Sequence, residues 1–195
     1  MRLILASGSP RRVELLRAAG FVFEVRPPGV DERVLPGEDP AAHVIRLARE
    51  KAQQAGCRHP DTVVLAADTV VVIDGLVLGK PADDADAVAM LRRLSGRTHD
   101  VLTGVAVCAN GATSAALERT EVRVIPLSEA DIAWYVSTGE PRDKAGAYAI
   151  QGLASRFVDR IEGSYSNVVG LPVALVSQML KNAGSVDRAA DPRYS

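Results

Sequence analysis

Aromatic side chains are scarce in this chain: one tryptophan, four tyrosines and three phenylalanines make up 4% of 195 residues. That argues against a platform that stacks the bases of single-stranded nucleic acid. Charge of one sign is lacking too. Lysine and arginine number 23 against 24 aspartates and glutamates, so a net charge of −1 recruits neither a polyanion nor an anionic membrane. There are only two cysteines, Cys57 and Cys108, without CxxC spacing, and they read as reduced thiols. The three histidines, His43, His59 and His99, do not cluster, which disfavours a zinc site. No apolar run approaches the roughly 18 residues that span a bilayer. The stretch after Met1-Arg2 is too short for the core of a signal peptide. Internal repeats and low-complexity segments are absent as well. The expectation is a soluble, cytoplasmic globular protein whose 47% hydrophobic content can fill a sizeable core.

What is there alternates between strand-like and helix-like segments. Leu3 to Leu5 is a short apolar strand, followed by Ser9 as an N-cap, Pro10 at the first helical position and Leu15, Leu16 and Ala19 at helical spacing. Phe21 to Val25 alternates as a strand, and a Pro/Gly-rich loop runs from Arg26 to Glu38. Asp39 and Pro40 open a long helix to about Gly56. Thr62 to Ala67 reads as a buried strand that leads through Asp68-Thr69 into a hairpin, Val70 to Ile73 and Leu76 to Leu78 around Asp74-Gly75. An amphipathic helix follows over Asp83 to Leu94. A second hairpin pairs Val101 to Cys108 with Ala115 to Ile125 across Asn110-Gly111. Ser128 and Asp131 cap the next helix, through Trp134 to Val136. Strands are predicted around Tyr148 to Ile150 and Phe157 to Ile161, then a helix from Pro172 to Asn182 that Gly184 stops. Residues 185–195 read as a frayed tail. This order predicts an α/β fold with a mixed sheet.

The first functional signal is a misplaced pair of charges. Arg11 and Arg12 sit in the opening turn of a helix, where free N–H groups and the helix dipole disfavour cations. They make sense beside the small Ser7-Gly8-Ser9 loop if an anion binds there. No GxGxxG is present. Gly75-Leu-Val-Leu-Gly79-Lys80-Pro81 is one residue too short between its glycines for a P-loop, and Pro81 replaces the magnesium-binding serine or threonine. Lys51, four residues after Leu47, carries its stem beside an apolar stripe and either points into a cleft or is solvated; Lys80 has the same two readings. Asp68 ends the apolar run Val63 to Ala67, the carboxyl edge where α/β folds place catalytic groups, and reads either as such a group or as a turn cap. Asp31-Glu32 lies in a Pro/Gly loop and on its own is a solvated pair. Gln151 breaks the apolar stretch Tyr148-Ala-Ile and suits either a base edge or a turn. Carboxylates, several cations and an amide together suggest metal-assisted attack of water on a phosphoanhydride.

An ordered series of motifs resembles the Maf family of nucleoside triphosphate pyrophosphatases, a family also discussed as septum-formation inhibitors. They are Leu5-Ala-Ser-Gly-Ser-Pro-Arg-Arg12, Leu47-Ala-Arg-Glu-Lys51-Ala, Ala67-Asp-Thr69-Val, Gly79-Lys-Pro81, Leu94-Ser-Gly96, Asp143-Lys-Ala-Gly-Ala-Tyr148-Ala-Ile-Gln-Gly152 and Val169-Gly-Leu-Pro172. The match covers residue 3 to about 181, and only the tail lies outside it. The resemblance implies one domain over residues 1–184. It would be an elongated α/β fold, a mixed sheet flanked by helices in two lobes around a central cleft (the Maf/ITPase-like arrangement), as a homodimer. It implies hydrolysis of a nucleoside triphosphate to the monophosphate and pyrophosphate with a divalent cation, Mg²⁺ first and Mn²⁺ or Co²⁺ as alternatives. Carried over by position, Ser7, Arg11, Arg12, Lys51 and Lys80 hold phosphates. Asp68 is the general base or metal-bound activator of water, and Glu32 lies at the metal.

Two branches of that family differ at three places. The branch acting on dTTP and UTP resembles this chain in Arg11, Thr69 and Gln151. The branch acting on 7-methyl-GTP has tryptophan in place of Arg11, another residue at Thr69 and glutamate in place of Gln151. The chemistry agrees, because a cationic methylated purine calls for an aromatic face and a carboxylate, whereas a neutral pyrimidine calls for amide and hydroxyl partners. The expected substrates are therefore dTTP and UTP, with modified pyrimidine triphosphates in the same class. A non-catalytic nucleotide-binding regulator of cell division is the alternative, and an enzyme acting on nucleic-acid ends is a second.

Overall fold

The structure, a computed structural model, describes residues 2–56 and 62–184. The expected tail, together with Cys57 and His59, lies outside the described residues. The chain opens with β1 (Arg2–Ala6), α1 (Pro10–Ala18), β2 (Glu24–Val25) and α2 (Pro40–Gln54). Next come β3 (Thr62–Ile73), β4 (Leu76–Leu78), α3 (Asp84–Leu94), β5 (Thr98–Ala109), β6 (Ala112–Val124) and α4 (Glu129–Ser137). After α4 the backbone coils through 3-10 turns at Glu140–Asp143, Ala145–Ala147 and Leu153–Phe157 before β7 (Val158–Glu162), α5 (Tyr165–Val169) and α6 (Val173–Asn182). The strands form one seven-stranded sheet in the order β2-β1-β3-β5-β6-β7, with β4 on β3. β1 runs parallel to β2 and β3, whereas β4 is antiparallel to β3 and β7 to β6. The α/β class and the mixed sheet are as the sequence predicts. Among the described residues no helix is long and apolar enough to cross a membrane.

By internal contacts the chain divides into two compact units. The first takes its described residues from 1–68, 103–118 and 170–195, and the second from 69–102 and 119–169. In the first unit, alternate residues of β1, β3 and β5 face opposite ways, as the two-residue period requires. Leu3, Leu5, Val63, Leu65, Val105 and Val107 pack with Leu16 of α1 and Val176 and Leu180 of α6. On the opposite face, alongside Ile4 and Val64, the small side chains Ala6, Ala66 and Ala106 pack with Ala48 and Ala52 of α2. Gly104 belongs to the same design. A Cβ there would stand 2.2 Å from the Val44 carbonyl oxygen, so α2 lies directly on the β5 backbone. In the second unit α3 and α4 pack with the halves of β3, β5 and β6 that lie there; Tyr135 and Phe157 meet edge to face at 5.5 Å.

Four expectations are corrected. Only Glu24–Val25 forms a strand on β1; Phe21 makes an isolated bridge, its N–H donating to the Leu16 carbonyl in closing α1, and the residues between are not extended strand. Tyr148 to Ile150 is not a strand, since the Ala149 N–H goes to the Tyr135 hydroxyl and the next residues turn. Asp68 does not end a strand: β3 continues unbroken through Val70 to Ile73, whose β-branched side chains suit the extended backbone. Cys108 is disulfide-bonded and so is not a reduced thiol.

Candidate active site

Five of the charged and polar residues singled out from sequence converge within the first unit. α2 starts cleanly because the Asp39 carboxylate accepts from Ala41 N and Ala42 N, with Pro40 at the first position. That start fixes its phase, and Lys51 falls on the buried stripe with Val44, Leu47, Ala48 and Ala52. The small-residue contact described above then brings the Lys51 stem onto the sheet. Its ammonium lies 2.6 Å from Asp68 Oδ1 and 2.6 Å from Glu32 Oε1. Lys51 and Asp68 are both buried, at 5% and 7% exposure. A solvated lysine is thus excluded. The Asp31-Glu32 pair also splits: Asp31 binds Arg33, while Glu32 reaches Lys51.

Asp68 occupies a special interval of β3. The ladder with β1 ends at Ala6↔Ala66, and that with β4 begins at Val71↔Leu78. Asp68 lies between the two, where the partner strand changes from parallel to antiparallel.

Arg12 completes the cluster. Its Nε donates to the Gly170 carbonyl at 2.8 Å, and its Nη1 lies 3.4 Å from Ser7 Oγ. Ser7 is buried and its hydroxyl accepts from the Ser9 N–H at 3.1 Å. The expected cap is therefore displaced: Ser9 is the N-cap residue by backbone but its own side chain makes no capping bond. Burial pushes the Arg12 guanidinium below its ordinary pKa, Asp68 and Glu32 oppose that shift, and Arg11 adds to it. So Arg12 feels the charges of Arg11, Asp68 and Glu32, and Lys51 bridges the two carboxylates.

Thr69, Lys80 and Gln151 belong to the second unit. Thr69 is half-buried on β3 directly after Asp68. Lys80 is exposed in the loop before α3, and its predecessor Gly79 accepts from the Gly146 N–H at 3.0 Å. Gly146 has φ +68°, and a Cβ there would come 2.9 Å from Val71 Cγ2, so the Asp143-Lys-Ala-Gly146 motif is fitted tightly under that loop. Gln151 is exposed at the third position of a turn closed by Gly152 N–H to Ala149 C=O at 3.0 Å.

The donor set suits a hard divalent cation in one way only. Asp68 and Glu32 already direct two carboxylate oxygens at a single cationic atom. Among the described residues no group of three or more His, Cys, Asp or Glu side chains could hold a metal. Such a site matches an ion of the magnesium type, which draws its remaining ligands from water and substrate phosphates.

Sequence reasoning missed three contributors. Gly170, inside the quoted Val169-Gly-Leu-Pro172 motif, anchors Arg12 through its carbonyl, which no side-chain pattern announces. Tyr135 and Glu140 hold the Gln151 turn through backbone groups, and their only sequence signal is the Gly139-Glu-Pro141 turn.

The Maf-like protein family matches residues 2–183. The chain is 54% identical over 184 residues to the dTTP/UTP pyrophosphatase of Koribacter versatilis (strain Ellin345), covering 94% of this chain and 95% of that one. It is 56% identical over 187 residues to the dTTP/UTP pyrophosphatase of Anaeromyxobacter dehalogenans (strain 2CP-C), covering 94% of each. Among solved structures, a HAM1 protein from Coxiella burnetii superposes with a TM-score of 0.53 at 18% identity, over 94% of this chain and 100% of that chain. At that identity the likeness speaks to the fold alone.

Proposed function

The chain belongs to the Maf-like protein family, and from that premise we propose that it is a nucleoside triphosphate pyrophosphatase cleaving dTTP and UTP to the monophosphate and pyrophosphate. Relatives 54% and 56% identical over nearly their whole length carry the name of that activity. The structural observation that carries the reading is the Lys51 ammonium held 2.6 Å from both Asp68 and Glu32, whose charges also act on half-buried Arg12. A dense group of opposite charges at one place suits a polyanion that brings its own counter-cation.

In this reading Asp68 and Glu32 hold Mg²⁺, with Mn²⁺ or Co²⁺ able to replace it. When bound, such an ion would neutralise the triphosphate and lower the pKa of water. Asp68 orients the water that attacks the α-phosphorus and accepts its proton. The bond from the α-phosphorus to the bridging oxygen breaks, and pyrophosphate leaves. Ser7, Arg11, Arg12 and Lys80 hold the phosphate oxygens. Lys51 has three N–H donors, two of which meet carboxylates, and the third serves a phosphate oxygen. Arg11, Thr69 and Gln151 set the choice of base. The catalytic domain spans residues 1–184 and acts as a cytoplasmic homodimer that engages neither nucleic acid nor membrane. A non-catalytic regulator of cell division is not favoured, since the relatives bear the name of an enzyme.

The test is a panel of nucleoside triphosphates incubated with the purified protein and Mg²⁺, Mn²⁺ or Co²⁺, with products separated by chromatography. Pyrophosphate and monophosphate from dTTP and UTP support the proposal. Recovery of every nucleotide intact, with each metal, overturns it.

A further inference from the structure

Gln151 has no rigid element of its own. It sits in a four-residue turn, Ala149 to Gly152, between a coiled segment and the 3-10 helix Leu153–Phe157. Yet both ends of that turn are tied to one carboxylate. The Glu140 Oε2 accepts from the Leu153 N–H at 3.0 Å, and its Oε1 lies 3.4 Å from the Ala154 N–H, so Glu140 serves the first two donors of the 3-10 helix. The same Oε1 accepts from the Tyr135 hydroxyl at 2.8 Å. The Tyr135 oxygen in turn accepts from the Ala149 N–H at 3.2 Å, on the entry side of the turn.

Three further observations make this a clamp and not a chance set of contacts. A Cβ on Gly152 would stand 2.4 Å from Glu140 Oε2, so only glycine lets the carboxylate close on the turn. Tyr135 is fully buried, edge-on to Phe157 at 5.5 Å, and cannot follow a moving loop. Its phenol pKa is raised by burial and then by Glu140, which keeps the hydroxyl protonated and donating. Ile150 is buried in the same core, while Gln151 beside it is exposed. The turn thus presents one polar side chain from an otherwise fixed backbone.

The geometry points to Tyr135 and Glu140 as positioning residues that fix the Gln151 amide for recognition of the pyrimidine edge, and so set base selectivity without touching the nucleotide. This inference rests on the reading that Gln151 meets the base. A preorganised hydrogen-bonding side chain discriminates strongly between bases, whereas a loose one satisfies several. Isosteric changes separate the effect from loss of the fold. Tyr135→Phe keeps the ring and removes only the bridging hydroxyl. Glu140→Gln keeps the shape but presents an NH₂ group to backbone donors.

The experiment measures kcat and KM for dTTP, UTP, dCTP and dATP with the wild-type protein, Tyr135→Phe, Glu140→Gln and Gln151→Ala, together with each variant's melting temperature. The expected result is that all three variants raise KM for dTTP and UTP by roughly tenfold, with kcat changed by less than about threefold, and narrow the preference over dCTP and dATP. If Gln151→Ala narrows the preference but Tyr135→Phe and Glu140→Gln do not, the clamp is wrong and the reading of Gln151 stands. A Gln151→Ala variant that keeps wild-type preference removes the reading of Gln151, and the clamp with it. Equal losses on all four nucleotides in step with a lower melting temperature would reduce the pair to a structural role and overturn the inference.

Discussion

Lys51 Nζ lies 2.6 Å from Asp68 Oδ1, and both residues are buried. Removing one partner of a buried ion pair leaves the other charge uncompensated, at a cost of about 3 kcal/mol. Lys51→Met should therefore lower the urea midpoint markedly, because Asp68 then faces Glu32 without a cation between them. Adding Asp68→Asn to that variant removes the stranded charge. The double variant is expected to be more stable than the two single losses added together, by at least about 1 kcal/mol. Strict additivity of the two losses would show that the pair is not coupled.

The same aspartate is the proposed base, and its substitution separates chemistry from binding. Asp68→Asn keeps the shape and one acceptor oxygen but cannot take a proton. Pyrophosphate release from dTTP should fall by about 10²–10⁴-fold. Binding of dTTP, followed by calorimetry, should change by less than roughly threefold, because the arginines and Lys80 remain. Turnover at the wild-type rate ends the assignment of Asp68.

Much of this site could be read from the chain because its signals are local. Arg11 and Arg12 violate a rule of helix ends, and Asp68 interrupts an apolar run, so each stands out within a few residues. In sequence Lys51 is ambiguous for a physical reason: a lysine beside an apolar stripe can snorkel outward as readily as turn inward. What decides it is a carboxylate 17 residues on and another 19 residues back, together with the small side chains that let α2 settle on the sheet. Glu32 is exposed, as the reading of a solvated pair expects, and what its own stretch does not announce is its reach to Lys51. The strand expected at Tyr148 to Ile150 failed because a side-chain hydroxyl captured the backbone donor that a ladder needs, and single-residue propensity carries no trace of that.

Gly104 offers a test of how α2 delivers Lys51. A methyl group there would press on the Val44 carbonyl at 2.2 Å, which is backbone and cannot rotate aside. Gly104→Ala should displace α2 and destabilise the protein by about 1–3 kcal/mol, read from the urea midpoint. A shift on the order of 1 Å at Lys51 should also cost about 10²-fold in kcat/KM for dTTP, although residue 104 carries no chemistry. Wild-type stability and turnover in this variant would mean that the helix has slack that the packing denies.

In the second unit, burial pushes His99 down from its ordinary 6.5 to about 4, with Asp100 opposing weakly. The ring is 3% exposed, its Nε2 lies 2.8 Å from the Tyr148 hydroxyl, and its Nδ1 has no hydrogen-bond partner. The folded protein therefore holds this histidine neutral where the unfolded chain would protonate it. Between pH 6.5 and about 4 the unfolded state binds more protons, so stability rises with pH across that window. The contribution is fully present above 6.5 and is lost as pH falls toward 4, and the gap corresponds to about 3 kcal/mol. Surface carboxylates with lowered pKa, such as Asp74 beside Arg97 and Asp84 beside Arg142, also cost stability in acid. Comparison with His99→Gln cancels their part, since the glutamine can still pair with Tyr148 but does not titrate. The difference in unfolding free energy between wild type and His99→Gln should be constant above pH 7 and shrink by about 3 kcal/mol on going to pH 4. A difference that stays level over that range would mean that the imidazole reaches solvent and is protonated in the folded protein.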